Sequence, residues 1–246
     1  MERLFVVLAG LALASFINSL AYRVPRGVSI IHPPSYCTGC GRAIRPYDLV
    51  PVVSWLLLRG RCRHCGGRIP ASTLAVEIAI PLAYFLLHQR EGLGALFFVH
   101  AYLIGVLAYL SLVDIEWRSL GIAESMMPAA GGCVLLWLAY HGQAINPVSH
   151  YLYGAAGGCT LLCLSFAVVY AFKKSPPLGP ADLLAVPGVS LYFGLNGVVR
   201  VMIAASLLGI AAGAFLLVTR RVDRGFKYPL IPFLTVGVLL EVLVFS

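Results

Sequence analysis

The feature that most constrains this chain is a series of apolar segments long enough to cross a lipid bilayer. A membrane-spanning helix needs about 20 consecutive, mainly apolar residues. Apolar segments of roughly this length occur eight times, at about residues 4–22, 71–88, 94–113, 122–140, 151–172, 181–196, 197–218 and 228–246. We therefore predict an all-α polytopic membrane protein with about eight transmembrane helices. Segments 181–196 and 197–218 are either short helices joined by a tight turn or one interrupted helix.

The composition argues against a soluble fold. Of the 246 residues, 60% are hydrophobic and 11% are charged, and the mean hydropathy is +0.89. A typical soluble domain is about 45–50% apolar and about 25% charged. The first apolar segment has no convincing small-residue cleavage site, so we expect a retained span rather than a signal peptide.

Positive charge is concentrated in a few of the connections between the apolar segments. The chain carries 18 Lys and Arg residues against 10 Asp and Glu, a net charge of +8, and most of the basic residues fall in loops 23–70, 114–121, 173–180 and 219–227. The positive-inside rule places these loops in the cytoplasm and both termini outside. A nucleic-acid surface is the alternative explanation. Because the first loop lacks a regular basic-aromatic face, we expect no nucleic-acid partner.

Loop 23–70 is the longest connection and contains two CxxC pairs separated by 21 residues. Its four cysteines are Cys37, Cys40, Cys62 and Cys65, and a glycine follows each pair, where the backbone must fold back. Four thiolates on two tight turns suit tetrahedral Zn²⁺. Disulfides are the alternative, but they are rare in the reducing compartment that the basic loop indicates. We predict a structural Zn²⁺ ion in a small zinc-ribbon-like cytoplasmic domain.

Two aspartates lie at the ends of predicted spans. Asp114 ends the third span and Asp182 opens the sixth, and the charge bias places both at the cytoplasmic boundary. Two facing carboxylates that share a proton can activate a water and hydrogen-bond a scissile carbonyl. Helix capping or tethering to the interface is the alternative role. From the helix dipoles alone, we predict Asp182 as the resting base and Asp114 as the resting acid.

Four segments resemble the type IV prepilin leader peptidases, which are membrane peptidase/N-methyltransferases of type IV pilus and type II secretion systems. Ser15–Pro25 resembles the opening signature of that family, and Cys37–Cys65 with its flanks resembles its four-cysteine domain. Asp114–Glu116 resembles the first catalytic aspartate segment, and Lys227–Phe233 resembles a segment that precedes the last helix. The resemblance covers nearly the whole chain.

The resemblance implies a GxGD-type aspartyl protease in the bacterial inner membrane, with Asp114 and Asp182 as its catalytic pair at the cytoplasmic face. It implies that the substrates are prepilins or pseudopilins, that membrane lipids are partners, and that the new N-terminal residue is methylated with S-adenosylmethionine. The corresponding domains are a methyltransferase-like region at 1–90, which includes the four-cysteine domain at 23–70, and a peptidase domain at 91–246.

The residues that bind the methyl donor are harder to identify, because no glycine-rich Rossmann fingerprint is present. Glu77 lies inside the second span, directly after the cysteine domain, and is the candidate next to the sulfonium or the substrate amine. Further candidates in the first span and the loop are Asn18, Arg23, Tyr47 and Asp48.

The peptidase half departs from the family pattern in two places. The usual Gly-x-Gly-Asp is Gly179-Pro-Ala-Asp182, and the usual Leu-Pro-Asp/Asn after the first aspartate is Leu120-Gly121-Ile122. An alternative function is therefore a catalytically impaired family member that acts as an assembly subunit. A membrane-anchored nucleic-acid-binding zinc ribbon and a transporter are weaker alternatives.

Overall fold

The computed structural model describes residues 1–117, 120–173, 180–219 and 229–245, without the side chains at 169, 172–173, 180–182 and 217. The described residues form helices and no strand. The helices are α1 Glu2–Arg23, α2 Val53–Leu57, α3 Ala71–Glu91, α4 Ala95–Trp117, α5 Ile122–Ser125, α6 Met127–Tyr140, α7 Val148–Lys173, α8 Pro180–Ser190, α9 Leu195–Val218 and α10 Ile231–Leu240. A π-helical turn, Glu241–Phe245, follows α10, and 3₁₀ turns lie at Val24–Arg26 and Pro46–Leu49.

The predicted all-α membrane fold class is confirmed. Within the described residues, six helical segments are long and apolar enough to cross a membrane. They are Glu2–Arg26, Ala71–Glu91, Ala95–Trp117, Ile122–Tyr140, Val148–Val168 and Leu195–Leu216. The other two predicted spans are shorter helices, α8 and the apolar helix Ile231–Phe245.

A turn at residues 191–194 separates α8 from α9, so the two uncertain apolar segments are separate helices. The turn brings Gly194 against the ring of His150, and a Cβ atom at Gly194 would lie 2.1 Å from His150 Cε1. Only glycine fits this approach, because a side-chain carbon would overlap the imidazole. The turn divides one hydrophobic stretch into an 11-residue helix and a full-length span.

The chain divides into two compact units, Met1–Gly92 and Leu93–Ser246. In the first unit, α1 packs along α3, and the residues of α1 buried in this contact include Gly10, Ala14 and Ala21. Small residues let membrane helices approach closely. A Cβ atom at Gly10 would lie 2.7 Å from the Cα atom of Pro81, so the two backbones are nearly in contact at this point.

In the second unit, α4 is the central helix. It packs against α6 and α10, and its Leu103, Leu107 and Leu110 side chains are fully buried. Helix α7 packs against α8 and α9. Asp114, near the C-terminal end of α4, is buried, whereas Ile115, Glu116 and Trp117 after it are exposed.

We predict that Gly10→Ala destabilises the protein by about 1–3 kcal/mol, because the added methyl group overlaps the Pro81 backbone. Alanine is a better helix former than glycine, so helix propensity alone predicts that this substitution stabilises the protein. The measurement is the thermal unfolding midpoint in detergent micelles. Gly94→Ala is the control, because nothing lies within 4 Å of a Cβ atom there. An unchanged or raised midpoint for Gly10→Ala contradicts the close α1–α3 contact.

Candidate metal centre, cavity and membrane carboxylates

The four cysteines lie on two structurally equivalent turns. The N–H of Gly41 donates to the carbonyl of Cys37 at 2.8 Å, and the N–H of Gly66 donates to the carbonyl of Cys62 at 3.0 Å. Both glycines have positive φ angles, +69° and +70°, which a residue with a side chain rarely adopts. The glycine after each CxxC pair therefore permits the backbone to fold back, as the sequence predicts.

The four sulfur atoms form one cluster. All of them lie within 4.8 Å of one another, and Cys37 Sγ is 3.7 Å from Cys65 Sγ. A tetrahedral zinc site with Zn–S bonds of about 2.3 Å has sulfur atoms about 3.8 Å apart. The cluster therefore could hold a zinc ion, and four protein ligands leave no open coordination position for catalysis.

The backbone around the second cysteine turn favours a thiolate ligand. The N–H groups of Cys65 and His64, together with the Cys37 thiol, lower the pKa of Cys62 to about 6. A thiolate, rather than a thiol, is the metal ligand. These hydrogen bonds therefore favour the ionised form of Cys62 within the cluster.

An ion pair connects the second cysteine turn to the 3₁₀ turn Pro46–Leu49. Arg63 Nε lies 2.9 Å from Asp48 Oδ2, and Arg63 Nη2 lies 2.7 Å from Asp48 Oδ1. Hydrogen bonds from Arg63 hold the pKa of Asp48 below its usual value. The ring centroid of Tyr47 lies 5.5 Å from the Arg63 guanidinium and 5.8 Å from the Arg45 guanidinium.

A cavity of about 260 Å³ lies in the first unit, bounded by α1, α3 and the cysteine domain. Four of the five candidates for methyl-donor binding line it, namely Asn18, Arg23, Asp48 and Glu77. The fifth, Tyr47, lies outside the lining, but its carbonyl accepts a hydrogen bond from the lining residue Ser54 at 2.9 Å. The structure thus brings together residues that are far apart in the sequence.

Three of the four candidates that line this cavity also bond to nearby backbone, whereas the Asp48 carboxylate pairs with Arg63. Asn18 Nδ2 donates to the Thr73 carbonyl at 3.2 Å, and Arg23 Nη1 donates to the Ser29 carbonyl at 2.8 Å. Glu77 Oε2 accepts the N–H of Val52 at 2.7 Å. These bonds orient the polar lining before any ligand is bound.

The Glu77 contact holds an unusual backbone conformation. Val52 has φ +64° and ψ −55°, and a positive φ is a genuine outlier for a β-branched residue. Its N–H points at the Glu77 carboxylate, at the start of α2. Glu77 therefore has a structural role in addition to the binding role predicted from the sequence.

Trp55 supplies an unsatisfied polar atom in the cavity wall. Its Nε1 is buried and has no hydrogen-bond partner among the described residues. The ring packs on Gly60, where a Cβ atom would be 2.6 Å from Trp55 Cζ2. Buried polar groups are nearly always hydrogen-bonded, so this N–H favours a ligand or water acceptor beside it.

Asp114 lies near the C-terminal end of α4 and is buried. Its Oδ2 accepts the N–H of Ile231, the first residue of α10, at 3.2 Å. This hydrogen bond and the positive end of α10 both stabilise the ionised carboxylate. From the dipole of α4 alone, Asp114 is predicted to be the protonated, resting acid. The N-terminus of α10, which begins 117 residues further along the chain, favours the ionised form instead.

The predicted partner, Asp182, is in the first turn of α8, but its side chain lies outside the described residues, as does Gly179. The departure at Leu120-Gly121-Ile122 forms an ordinary helix start. The N–H of Gly121 donates to Glu124 Oε2 at 2.9 Å, while the hydroxyl of Tyr109 donates to Glu124 Oε1 at 2.8 Å. This segment is therefore tied to α4 without the usual proline.

Sequence reasoning missed two polar contacts of the second unit. Arg200 pairs with the buried Glu241 through two hydrogen bonds, Nε to Oε2 at 2.8 Å and Nη2 to Oε1 at 2.5 Å. Sequence reasoning also missed the hydrogen bond from the Ile231 N–H to Asp114. The only sequence signal for it is the pair of prolines at the start of α10, Pro229 and Pro232, on either side of Ile231.

The fold and these sites define a multi-pass helical membrane protein with a four-cysteine domain between its first two spanning helices. Residues 8–90 match the model of the bacterial Peptidase A24 N-terminal domain. No solved structure is significantly similar to the chain.

Curated relatives named "Prepilin leader peptidase/N-methyltransferase" match most of the chain. The relative from Bacillus subtilis is 26% identical over 236 residues, 95% of this chain and 91% of its own length. The relative from Myxococcus xanthus is 27% identical over 87% of this chain, which spans 62% of that protein. One from Burkholderia pseudomallei is 27% identical over 96% of this chain and 84% of its own length. The resemblance to this family is therefore confirmed.

We predict that Cys62→Ser lowers the zinc content of the purified protein from about one ion per chain to a small fraction, because a neutral hydroxyl replaces a thiolate ligand. Elemental analysis by mass spectrometry measures the metal. Cys133→Ser is the matched control, because this cysteine lies in α6 and outside the sulfur cluster. Equal zinc contents in the two variants would rule out the four-thiolate site.

Proposed function

We propose that this chain is a membrane enzyme that removes the leader from prepilins or pseudopilins and then methylates the new N-terminal residue. The observation that carries the proposal is Asp114, a buried carboxylate at the end of a spanning helix, with a helix N-terminus directed at it. Ionisable groups at such positions are costly and usually functional. The names of the curated relatives support both activities.

The peptidase reaction uses Asp114 and Asp182 as an acid/base pair. The ionised carboxylate takes a proton from a water molecule, and the water oxygen adds to the scissile carbonyl carbon. The protonated partner donates to the carbonyl oxygen, and the C–N bond breaks as the leaving nitrogen gains a proton. The hydrogen bond from Ile231 supports Asp114 as the ionised member, which reverses the assignment made from the sequence.

The cavity in the first unit suits S-adenosylmethionine, which supplies an electrophilic methyl group on a cationic sulfur. The carboxylates of Glu77 and Asp48 suit the cationic parts of this molecule, and the Arg23 guanidinium suits its carboxylate. Tyr36 and Trp55 offer aromatic faces for the adenine. The unsatisfied Trp55 N–H is a further donor at this wall.

The volume of the cavity also suits a molecule of the size of S-adenosylmethionine when the adjoining cavity is counted with it. A ligand pocket usually has a volume of about 300–1,000 Å³. The cavity of about 260 Å³ shares Tyr36, Thr38 and Asp48 with a second cavity of about 390 Å³ in the cysteine domain. Glu77 belongs to α3 and accepts the N–H of Val52 at the start of α2, so it connects α3 to the cysteine domain. In the proposed enzyme the same carboxylate faces the methyl donor.

Zinc has a structural role in this proposal. Thr38 lies between Cys37 and Cys40, and Ile69 follows the second cysteine turn, and both line the cavity bounded by Glu77. A metal on the four sulfur atoms therefore fixes one wall of the methyl-donor cavity.

We place the protein in the bacterial inner membrane, in contact with lipid, with both reactions at the cytoplasmic face and no nucleic-acid partner.

We predict that Asp114→Asn and Asp182→Asn each abolish leader removal, because an amide can neither accept nor share the proton. The measurement is the intact mass of a purified prepilin after incubation with the protein and S-adenosylmethionine. Both variants are expected to methylate a pilin that has already been cleaved. The matched control is Glu91→Gln, which removes a carboxylate from the end of another spanning helix, α3.

Full cleavage by either aspartate variant would eliminate the proposed catalytic pair. Unchanged prepilin in the presence of the folded wild-type protein would instead favour the assembly-subunit alternative, which the altered Gly179-Pro-Ala-Asp182 segment motivates. An Ala181→Gly variant then tests that departure directly. Restored cleavage would assign the loss to the methyl group of Ala181.

We predict that Glu77→Gln slows methylation at least about tenfold, since the loss of one charged contact costs about 1.5–3 kcal/mol. Leader cleavage is expected to stay within about twofold of wild type, because the amide oxygen of glutamine can still accept the Val52 N–H. The same mass assay resolves the two products. Unchanged methylation by the folded variant would refute the role of Glu77.

A further inference from the structure

Two hydrogen-bonded contacts, one helical turn apart, join α4 to α10. At the first, Ser111 Oγ lies 2.7 Å from Thr235 Oγ1. At the second, Asp114 accepts the N–H of Ile231 at 3.2 Å. Residues three or four apart share one face of a helix, so Ser111 and Asp114 present one face of α4 to the face of α10 that carries Ile231 and Thr235.

The Thr235 hydroxyl connects these two contacts. Thr235 Oγ1 lies 2.9 Å from the carbonyl oxygen of Ile231 and 3.3 Å from that of Leu107. A hydroxyl donates only one hydrogen bond. The arrangement that leaves the most groups bonded has Thr235 donating to Ile231, the nearer carbonyl, and Ser111 donating to Thr235. The resulting chain runs from Ser111 through Thr235 to Ile231.

Ile231 is therefore held through both of its backbone groups. Its N–H bonds to Asp114 and its carbonyl accepts from Thr235, while its side chain is fully buried. A polar group inside a membrane protein has few alternative partners. A shift of α10 along α4 would break the Ser111–Thr235 bond and the Ile231–Asp114 bond together.

We infer that Ser111 and Thr235 set the register of α10 on α4 and thereby hold the Ile231 amide on the Asp114 carboxylate. Both are positioning residues, because they act through Ile231 and Asp114. The catalytic consequence rests on the proposed peptidase function. The amide stabilises and orients the ionised carboxylate, so the hydroxyl pair affects the chemical step more than substrate binding.

The first test separates the chemical step from substrate binding. Thr235→Val keeps the shape of the side chain and removes the hydroxyl, and we expect kcat for prepilin cleavage to fall about tenfold while KM stays within about twofold. Thr235→Ser keeps the hydroxyl and is expected to retain most of the wild-type kcat. A rise in KM with unchanged kcat, or equal losses in both variants, would overturn the inference.

The matched control is Thr160→Val. Thr160 lies in α7, and its hydroxyl donates to the Gly157 carbonyl of its own helix at 2.8 Å. This variant removes the same group from a spanning helix other than α4 and α10. We expect wild-type kinetics, and a tenfold loss of kcat here would show that any lost hydroxyl has this effect.

The second test does not depend on catalysis. Selective ¹⁵N-isoleucine labelling in detergent micelles reports hydrogen exchange at the Ile231 amide, whose signal is assigned from an Ile231→Val spectrum. We expect exchange at this amide to accelerate about tenfold in Thr235→Val and to stay unchanged in Thr160→Val. Unchanged exchange in Thr235→Val would overturn the inference. If exchange responds but the wild-type protein leaves prepilin uncut, the proposed function fails and the positioning role stands.

Discussion

The constraint on which the structure depends is that backbone polar groups find no water inside a bilayer. Helices satisfy these groups within one segment, so an apolar chain of this length folds into helices that cross or enter the membrane. The same constraint acts on polar side chains. Arg200 pairs with Glu241, Ser111 pairs with Thr235, and Asp114 takes a backbone amide from α10. Each contact joins two helices, so the polar groups in this bundle also define its packing.

Outside the bilayer, the cysteine domain depends on different interactions. Its residues between α1 and α3 are mostly exposed, and a small domain with little apolar core requires other links. The cluster of four sulfur atoms provides one link, and the bidentate ion pair between Arg63 and Asp48 provides another. Both lie beside the cavity that Glu77 also lines. Metal binding and the shape of this cavity are therefore physically connected in the proposed enzyme.

The sequence predicted elements that depend on local patterns. The spacing of the CxxC pairs predicted one sulfur cluster, and the apolar segments predicted the helices. Segments 181–196 and 228–246 form shorter helices than expected. Hydropathy does not reveal the turn at residues 191–194, which ends the first of these helices. The dipole of α4 predicts a protonated Asp114, whereas a backbone N–H of α10 donates to its carboxylate. Long-range contacts of this kind leave no periodic signal in the sequence.

The sequence by itself determined that this is a membrane protein, the helical class of its fold, the four cysteines that could hold a metal and the identity of its candidate carboxylates. These features depend on composition and on spacing along the chain. Only the tertiary structure decided which groups meet. It gathered Asn18, Arg23, Asp48 and Glu77 around one cavity, and it directed the amide of Ile231 at Asp114. The physical reason is that hydrogen bonds and cavities depend on distances in space, which helix packing sets between residues far apart in the chain.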